Sequence, residues 1–305
     1  MRTQHLSKNK NHYVVFLFFI SSLLMSCDYL PGGGGGDHHD LIVKKEILAI
    51  QEEFIKSETN KDADAHRLLF ISEASPVDFA FKNYGEPYIA NLNREIWIQV
   101  FTGWDYEYYP EYFETEFFIE KGMAIDSHQF QGYKNEVSDL HGNDLFMYIE
   151  TEAGWKLLGL TSTIINPDDI TDYSTLDLVS ANPNEVLTKF KTGFNEANSS
   201  VFETAFTSAT TPCLRFNNKF KGAYSESSHT ATTFFSDLTE VSDAIKIDFN
   251  NVSIEIKDQL TAVVSASYEI NGEEFNEKGK MLAMLAATPD LGWKITAMAF
   301  SIDAE

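Results

Sequence analysis

Cysteine is nearly absent: Cys27 and Cys213 are the only two in 305 residues. A disulfide framework is excluded, and once Cys27 is modified no intramolecular bridge remains. Paired cysteines, a glycine-rich phosphate loop and a serine elbow are missing, and His66, His128, His141 and His229 are scattered without metal-ligand spacing. No metal site and no cofactor is expected. Cys213, in Thr211-Pro212-Cys213-Leu214, reads as a buried structural thiol. Basic residues are also scarce, 23 against 46 acidic ones. A surface of that sign repels nucleic acid, so no nucleic-acid partner is expected. A transmembrane-length run is lacking too. The apolar stretch Tyr13 to Met25 spans 13 residues and contains Ser21 and Ser22, short of the roughly 20 that cross a bilayer as a helix.

What that stretch does have is the layout of a signal peptide: Arg2, Lys8 and Lys10 before it, no acidic residue, and the ending Leu24-Met25-Ser26-Cys27. The ending resembles a lipobox, which implies cleavage before Cys27 and lipidation of its thiol with palmitate-type chains. Residues 1–26 are thus expected to be a lipoprotein signal peptide. Removing them leaves 20 basic and 46 acidic residues, a formal charge of about −26. Five glycines, Gly32 to Gly36, then lie in a tether expected over 27–40. The expected location is the bacterial cell envelope outside the cytoplasm, on the outer membrane, with the membrane face left open.

The remainder carries one plan twice. Gly154-Trp155-Lys156-Leu157 recurs as Gly292-Trp293-Lys294-Ile295, 138 residues on. Each follows an apolar strand and a turn, so each copy closes with a hairpin. Each also opens with a helical stripe: Val43, Ile47, Ile50 and Phe54 in the first, Leu187, Phe190 and Phe194 in the second. Asn182-Pro183-Asn184-Glu185 reads as a helix start. Short second helices are expected over Asp62 to Phe70 and Ser199 to Phe206, then strands, with Asn271-Gly272 as a hairpin turn. The pattern is α+β, helices first and a curled antiparallel sheet after. The expected bounds are 41–165 and 183–305, joined by a linker over 166–182 rich in aspartate.

This order, with a short helix ending in Leu69-Phe70 or Ala205-Phe206 and a last hairpin ending in Gly-Trp-Lys-aliphatic, resembles the nuclear transport factor 2-like superfamily, home of ketosteroid isomerase and SnoaL-like cyclases. The resemblance covers nearly all of the mature chain. It implies two tandem cone-shaped folds, each with N-terminal helices packed in a curved antiparallel sheet and a pocket at the wide end. It also implies that the copies can pack as an internal pseudo-dimer.

Laid on the isomerase pattern, Asp78 falls at the general base. Phe54 falls where the family has a tyrosine, and Leu145 where it has an acidic donor, with Asp144 one residue away. In the second copy Leu214 replaces Asp78. Ten aromatic residues crowd positions 97 to 118, and with Phe54 the rings of Trp97, Trp104, Tyr106 and Tyr109 are candidates to line a pocket. The reading favoured by the sequence is a membrane-anchored, non-catalytic lipoprotein. It would bind a small apolar or aromatic molecule, or an envelope protein partner. The alternative is an isomerase, dehydratase or cyclase using Asp78 as base in the first copy.

The anchor is testable directly. In a bacterial host, labelled palmitate is expected to enter the wild-type chain and not Cys27→Ser, which partitions into the aqueous phase of a detergent extraction. Equal labelling of both would refute the lipidation site.

Overall fold

The computed structural model describes residues 36–81, 88–164, 182–217, 230–240, 245–258, 260–273, 276–288 and 292–303. The signal peptide, Cys27 and residues 166–181 of the linker lie outside these. The first helix, α1 (Gly36–Thr59), starts inside the expected tether. Along it Val43, Ile47 and Phe54 are buried and Ile50 half-buried, as the stripe requires. The stripe also holds Gln51 and Glu58, both buried. Next comes α2 (Ala63–Leu69), whose start is capped by Asp62: its Oδ1 accepts the Ala65 N–H at 3.0 Å.

Two strands follow, β1 (Pro76–Phe81) and β2 (Tyr88–Asn93), then α3 (Arg94–Thr102), capped by the Asn93 side chain on Ile96 N–H. Four long strands complete the first copy: β3 (Tyr108–Glu120), β4 (Met123–Lys134), β5 (Val137–Thr151) and β6 (Gly154–Ile164). The second copy repeats the order with α4 (Asn184–Asn195), α5 (Ser199–Glu203), β7 (Cys213–Asn217), α6 (Ala231–Thr239), β8 (Lys246–Ile256), β9 (Thr261–Asn271), β10 (Asn276–Thr288) and β11 (Gly292–Ile302). The third helices, α3 and α6, were not anticipated. Their caps, Asn93 and Thr230 with Thr233, are short polar signals between strands.

The sheets run β2-β1-β6-β5-β4-β3 and β7-β11-β10-β9-β8. They are antiparallel except for β1–β6 and β7–β11. The expected all-antiparallel sheets are therefore mixed, because β1 and β7 return from the helices alongside the last strand of their own copy. Curvature has a local cause. Glu114 and Asn251 take φ of 54° and 52° at bulges in β3 and β8, and a bulge bends its strand and adds twist. Fold class is α+β, with two tandem cones.

Residues of β4, β5 and β6 alternate between two dry environments. Ala124, Phe146 and Tyr148 join Val43, Ile47 and Phe54 inside the first cone. Ile125, Leu145, Met147 and Leu158 instead share one buried cluster with Leu214, Val263, Leu282 and Ala299 of the second copy. Thr161 Oγ1 lies 2.6 Å from Thr296 Oγ1 across that face, and Lys121 Nζ donates to Asp303 Oδ1 at 2.6 Å at its edge. Each large apolar side chain buried there contributes about 1.5–3 kcal/mol, so the shared face weighs as much as a core. Inside the second cone Phe190, Phe194, Phe202, Phe234 and Phe300 fill the space, with ring centroids 4.7 to 6.4 Å apart. Cys213 is buried beside them.

One glycine in each copy is fixed by this geometry. A Cβ on Gly142 would lie 1.7 Å from the Thr163 carbonyl oxygen, and one on Gly279 would lie 1.9 Å from that of Ser301. Both contacts are with backbone, which cannot rotate away. Gly142→Ala and Gly279→Ala are each expected to cost about 3 kcal/mol or more in chemical denaturation. A loss below 1 kcal/mol in either would show that the strands do not approach so closely.

Candidate functional site

A cavity of about 170 Å³ opens inside the first cone. Its walls come from α1 (Phe54, Glu58), α3 (Trp97), the following loop (Trp104, Tyr106), β3 (Tyr108, Pro110, Tyr112) and β4 to β6 (Phe130, Asp139, Leu140, Asp144, Leu160, Ser162, Ile164), with Phe79 of β1. The aromatic wall is continuous. Trp97 meets Phe79 at 4.8 Å and Trp104 at 5.7 Å between centroids, and Trp104 stacks on Tyr106 at 5.4 Å. The loop carrying Trp104 and Tyr106 is tied down by Lys61, which donates to the Trp104 carbonyl, and by Lys134, whose ammonium lies 4.0 Å from the Tyr106 ring centre.

Four of the five expected pocket residues line this cavity: Phe54, Trp97, Trp104 and Tyr106. Tyr109 does not. It neighbours Tyr108 and Pro110 on β3, both of which face the cavity, so alternation turns it to the other side, where it stacks on Tyr133 at 4.9 Å. Asp78 is displaced for the same reason. Its neighbour Phe79 faces the cavity, whereas Asp78 pairs with Thr161 on the face turned to the second sheet. It is buried, its Oδ2 has no hydrogen-bond partner among the described residues, and burial raises its carboxyl well above the ordinary range. The base position assigned to Asp78 therefore lies away from the cavity. Leu145 is likewise on the shared face, and Asp144 reaches the cavity.

The cavity has carboxyls of its own. Glu58 is pushed up to about 8, chiefly by burial, with the Trp97 N–H, 2.6 Å from its Oε1, acting the other way. Asp144 is raised to about 7 by burial, opposed by hydrogen bonds from Ser162 and Tyr112. Behind Asp144 lie polar groups that are wholly buried. Tyr148 OH donates to Asp126 Oδ2 at 3.0 Å, and Gln51 Nε2 meets His128 Nδ1 at 3.0 Å. Asp126 is raised well above the ordinary range by burial, and His128 is lowered by burial to about 3. His66 is also lowered to about 3 by burial. It sits between Phe54 and Phe101 with its Nδ1 2.9 Å from Ser57 Oγ, a core histidine rather than part of the site. Among the described residues no group of three or more His, Cys, Asp or Glu could hold a metal, and no helix is long and apolar enough to cross a membrane.

The second copy serves as an internal control. Ser162 pairs with Asp144 as Phe300 pairs with Met281, and Asp144 with His128 as Met281 with Ala266. Continuing that register sets Val264 against Asp126. On the helices, spacing from Phe54 and Phe190 sets Leu187 against Gln51 and Phe194 against Glu58. Each polar interior residue of the first cone is thus apolar in the second, where Phe300 and Phe194 occupy the space. That substitution pattern was present in the sequence and was missed because the stripe was read from its apolar members alone.

No family model and no curated protein matches the chain. Among solved structures it is similar to an NTF2-like protein from Cytophaga hutchinsonii (14% identical, covering 40% of this chain and 98% of that one, TM-score 0.33). It is also similar to a protein of unknown function from Mycobacterium tuberculosis (12%, 49% and 86%, 0.38) and to an NTF2-like protein of unknown function from Shewanella oneidensis (10%, 39% and 94%, 0.31).

The raised carboxyls predict a pH dependence. Unfolded, Glu58 and Asp144 ionise near their ordinary 4.5 and 3.8; folded, they hold their protons to about 8 and 7. Their contribution to stability is full below about pH 4, falls as pH rises through that window, and is flat above it. Glu58→Gln with Asp144→Asn is expected to raise stability at pH 9 by a few kcal/mol relative to wild type and to flatten the decline. A decline of unchanged size in the double variant, measured by denaturant midpoints from pH 4 to 9, would assign it to other groups.

Proposed function

We propose that this is an envelope lipoprotein, anchored through Cys27, whose first cone binds a small molecule with one ring and an oxygen that accepts a hydrogen bond. The observation that carries this reading is the set of buried polar side chains around a cavity walled by aromatic rings, set against their apolar counterparts in the second copy. Size supports one ring. An engineered apolar cavity of roughly 150 Å³ takes up benzene, and this one measures about 170 Å³. Protonated Glu58 can donate to a carbonyl or hydroxyl, while the rings cover the apolar body. The second cone, filled by phenylalanines, takes a structural part.

A second reading is favoured by the pKa of Asp144. A carboxyl ionising at about 7 beside a cavity is suited to taking a proton from a carbon next to a carbonyl and returning it elsewhere. This is the isomerase or dehydratase alternative, with Asp144 in the place first given to Asp78.

One experiment separates the two. Wild type, Trp104→Ala and Asp144→Asn are titrated with cyclohexenone, benzaldehyde and benzoate by saturation-transfer NMR in D₂O, and deuterium exchange next to the cyclohexenone carbonyl is followed. Binding of the neutral carbonyls, lost in Trp104→Ala, supports the pocket. Exchange that falls about 10²–10⁴-fold in Asp144→Asn supports catalysis. Binding without exchange removes the catalytic reading, and no binding of any ring compound removes both.

A further inference from the structure

We propose that His128, fixed by Gln51 as the tautomer that carries its proton on Nε2, is the positioning residue for the Asp144 carboxyl. This inference deepens the pocket reading and rests on it for its functional meaning.

The argument starts from donors and acceptors. The Gln51 amide nitrogen can only donate, and it lies 3.0 Å from His128 Nδ1 against 3.5 Å from Nε2. The nitrogen it meets must therefore present a lone pair. A neutral imidazole has one proton, which is left on Nε2. Nε2 faces Asp144 Oδ2 at 3.9 Å, a distance for orientation by charge and dipole that a hydrogen bond would shorten once a ligand seats.

The other flank agrees. Asp126 Oδ1 lies 3.7 Å from Nδ1. That is beyond hydrogen-bond distance, so the single lone pair of Nδ1 stays with the Gln51 amide, while the Asp126 Oδ2 accepts from Tyr148. The ring is held in plane between Phe146 and Tyr112, at 5.1 and 4.0 Å between centroids. With Oδ2 turned to His128, the Oδ1 of Asp144 is buried and has no hydrogen-bond partner among the described residues. The counterparts of Gln51, Asp126, His128 and Asp144 in the second copy are all apolar, so the array is present or absent as a unit.

The test uses the full chain without ligand. Long-range proton–nitrogen NMR on histidine-labelled protein, with His128 assigned by its loss in His128→Asn, is expected to show the Nε2–H tautomer unchanged from pH 5 to 8. Asp126, Asp144, Glu58 and Tyr112 are the titratable groups around it. Gln51→Leu, which keeps the helix apolar as in the second copy, is expected to mix the tautomers. The Asp144 carboxyl carbon signal is expected to titrate at higher pH in His128→Asn and in Gln51→Leu. An Nδ1–H tautomer in the wild type overturns the proposal, and so does an unmoved Asp144 titration in Gln51→Leu. Failure of every ring compound to bind would sink the pocket reading and leave these results standing.

Discussion

The structure depends on one constraint: in a strand buried on both sides, each step along the chain moves the side chain from one dry environment to a different one. In the first copy one environment is the cone interior under α1, and the other is the face shared with the second sheet. Neither face is turned to solvent. The usual guide to strand register, apolar inward and polar outward, is therefore missing, and a one-residue slip exchanges the two. Asp78 and Phe79, Asp144 and Leu145, Tyr108 and Tyr109 are three pairs in which that exchange decides whether a residue belongs to a site or to a packing surface.

The two copies show what each environment tolerates. The shared face is largely apolar, with polar contacts between the copies at Thr161–Thr296, Asn143–Thr261 and Thr163–Asp258, and it also holds Asp78. Burial raises its carboxyl well above the ordinary range. The cone interiors diverge instead. Leu187, Phe194, Val264, Ala266, Met281 and Phe300 pack the second in the manner of any core, while the first carries amide, carboxyl, imidazole and hydroxyl groups at the matching positions. Burying such groups costs stability even when they are hydrogen-bonded.

How much of this was legible in the sequence follows from the same constraint. The duplication, the helix stripes and the closing hairpins were readable, since apolar periodicity and the Gly-Trp-Lys endings survive in both copies. The aromatic wall was readable because residues clustered in sequence on α3, the loop and β3 stay clustered in space. Glu58, Asp126 and His128 were not recognised, and Asp144 was named only as one residue away from the donor position. They come from α1, β4 and β5, far apart along the chain, and each looks ordinary alone. Comparison of the copies position by position would have found them: Gln51 and Glu58 interrupt a stripe that Leu187, Phe190 and Phe194 complete. Parallel pairing of β1 with β6 was also unreadable, since it depends on where the chain re-enters the sheet after α2.

The placement of Glu58 and Asp144 on different elements gives the cavity its chemical asymmetry. Glu58 is carried by the helix and accepts one N–H, from Trp97, so burial dominates, and the charge on Asp144 raises it further. Asp144 is carried by the sheet and accepts from Ser162 and Tyr112, which offset more of the same penalty. Burial raises both carboxyls and the charge on Asp144 raises Glu58 further, so ionising one favours keeping the proton on the other, an acceptor beside a donor. Two like groups whose surroundings separate their pKa values can take opposite roles in one proton transfer. The apolar side chains Phe194 and Met281 at the matching positions of the second cone leave neither role available.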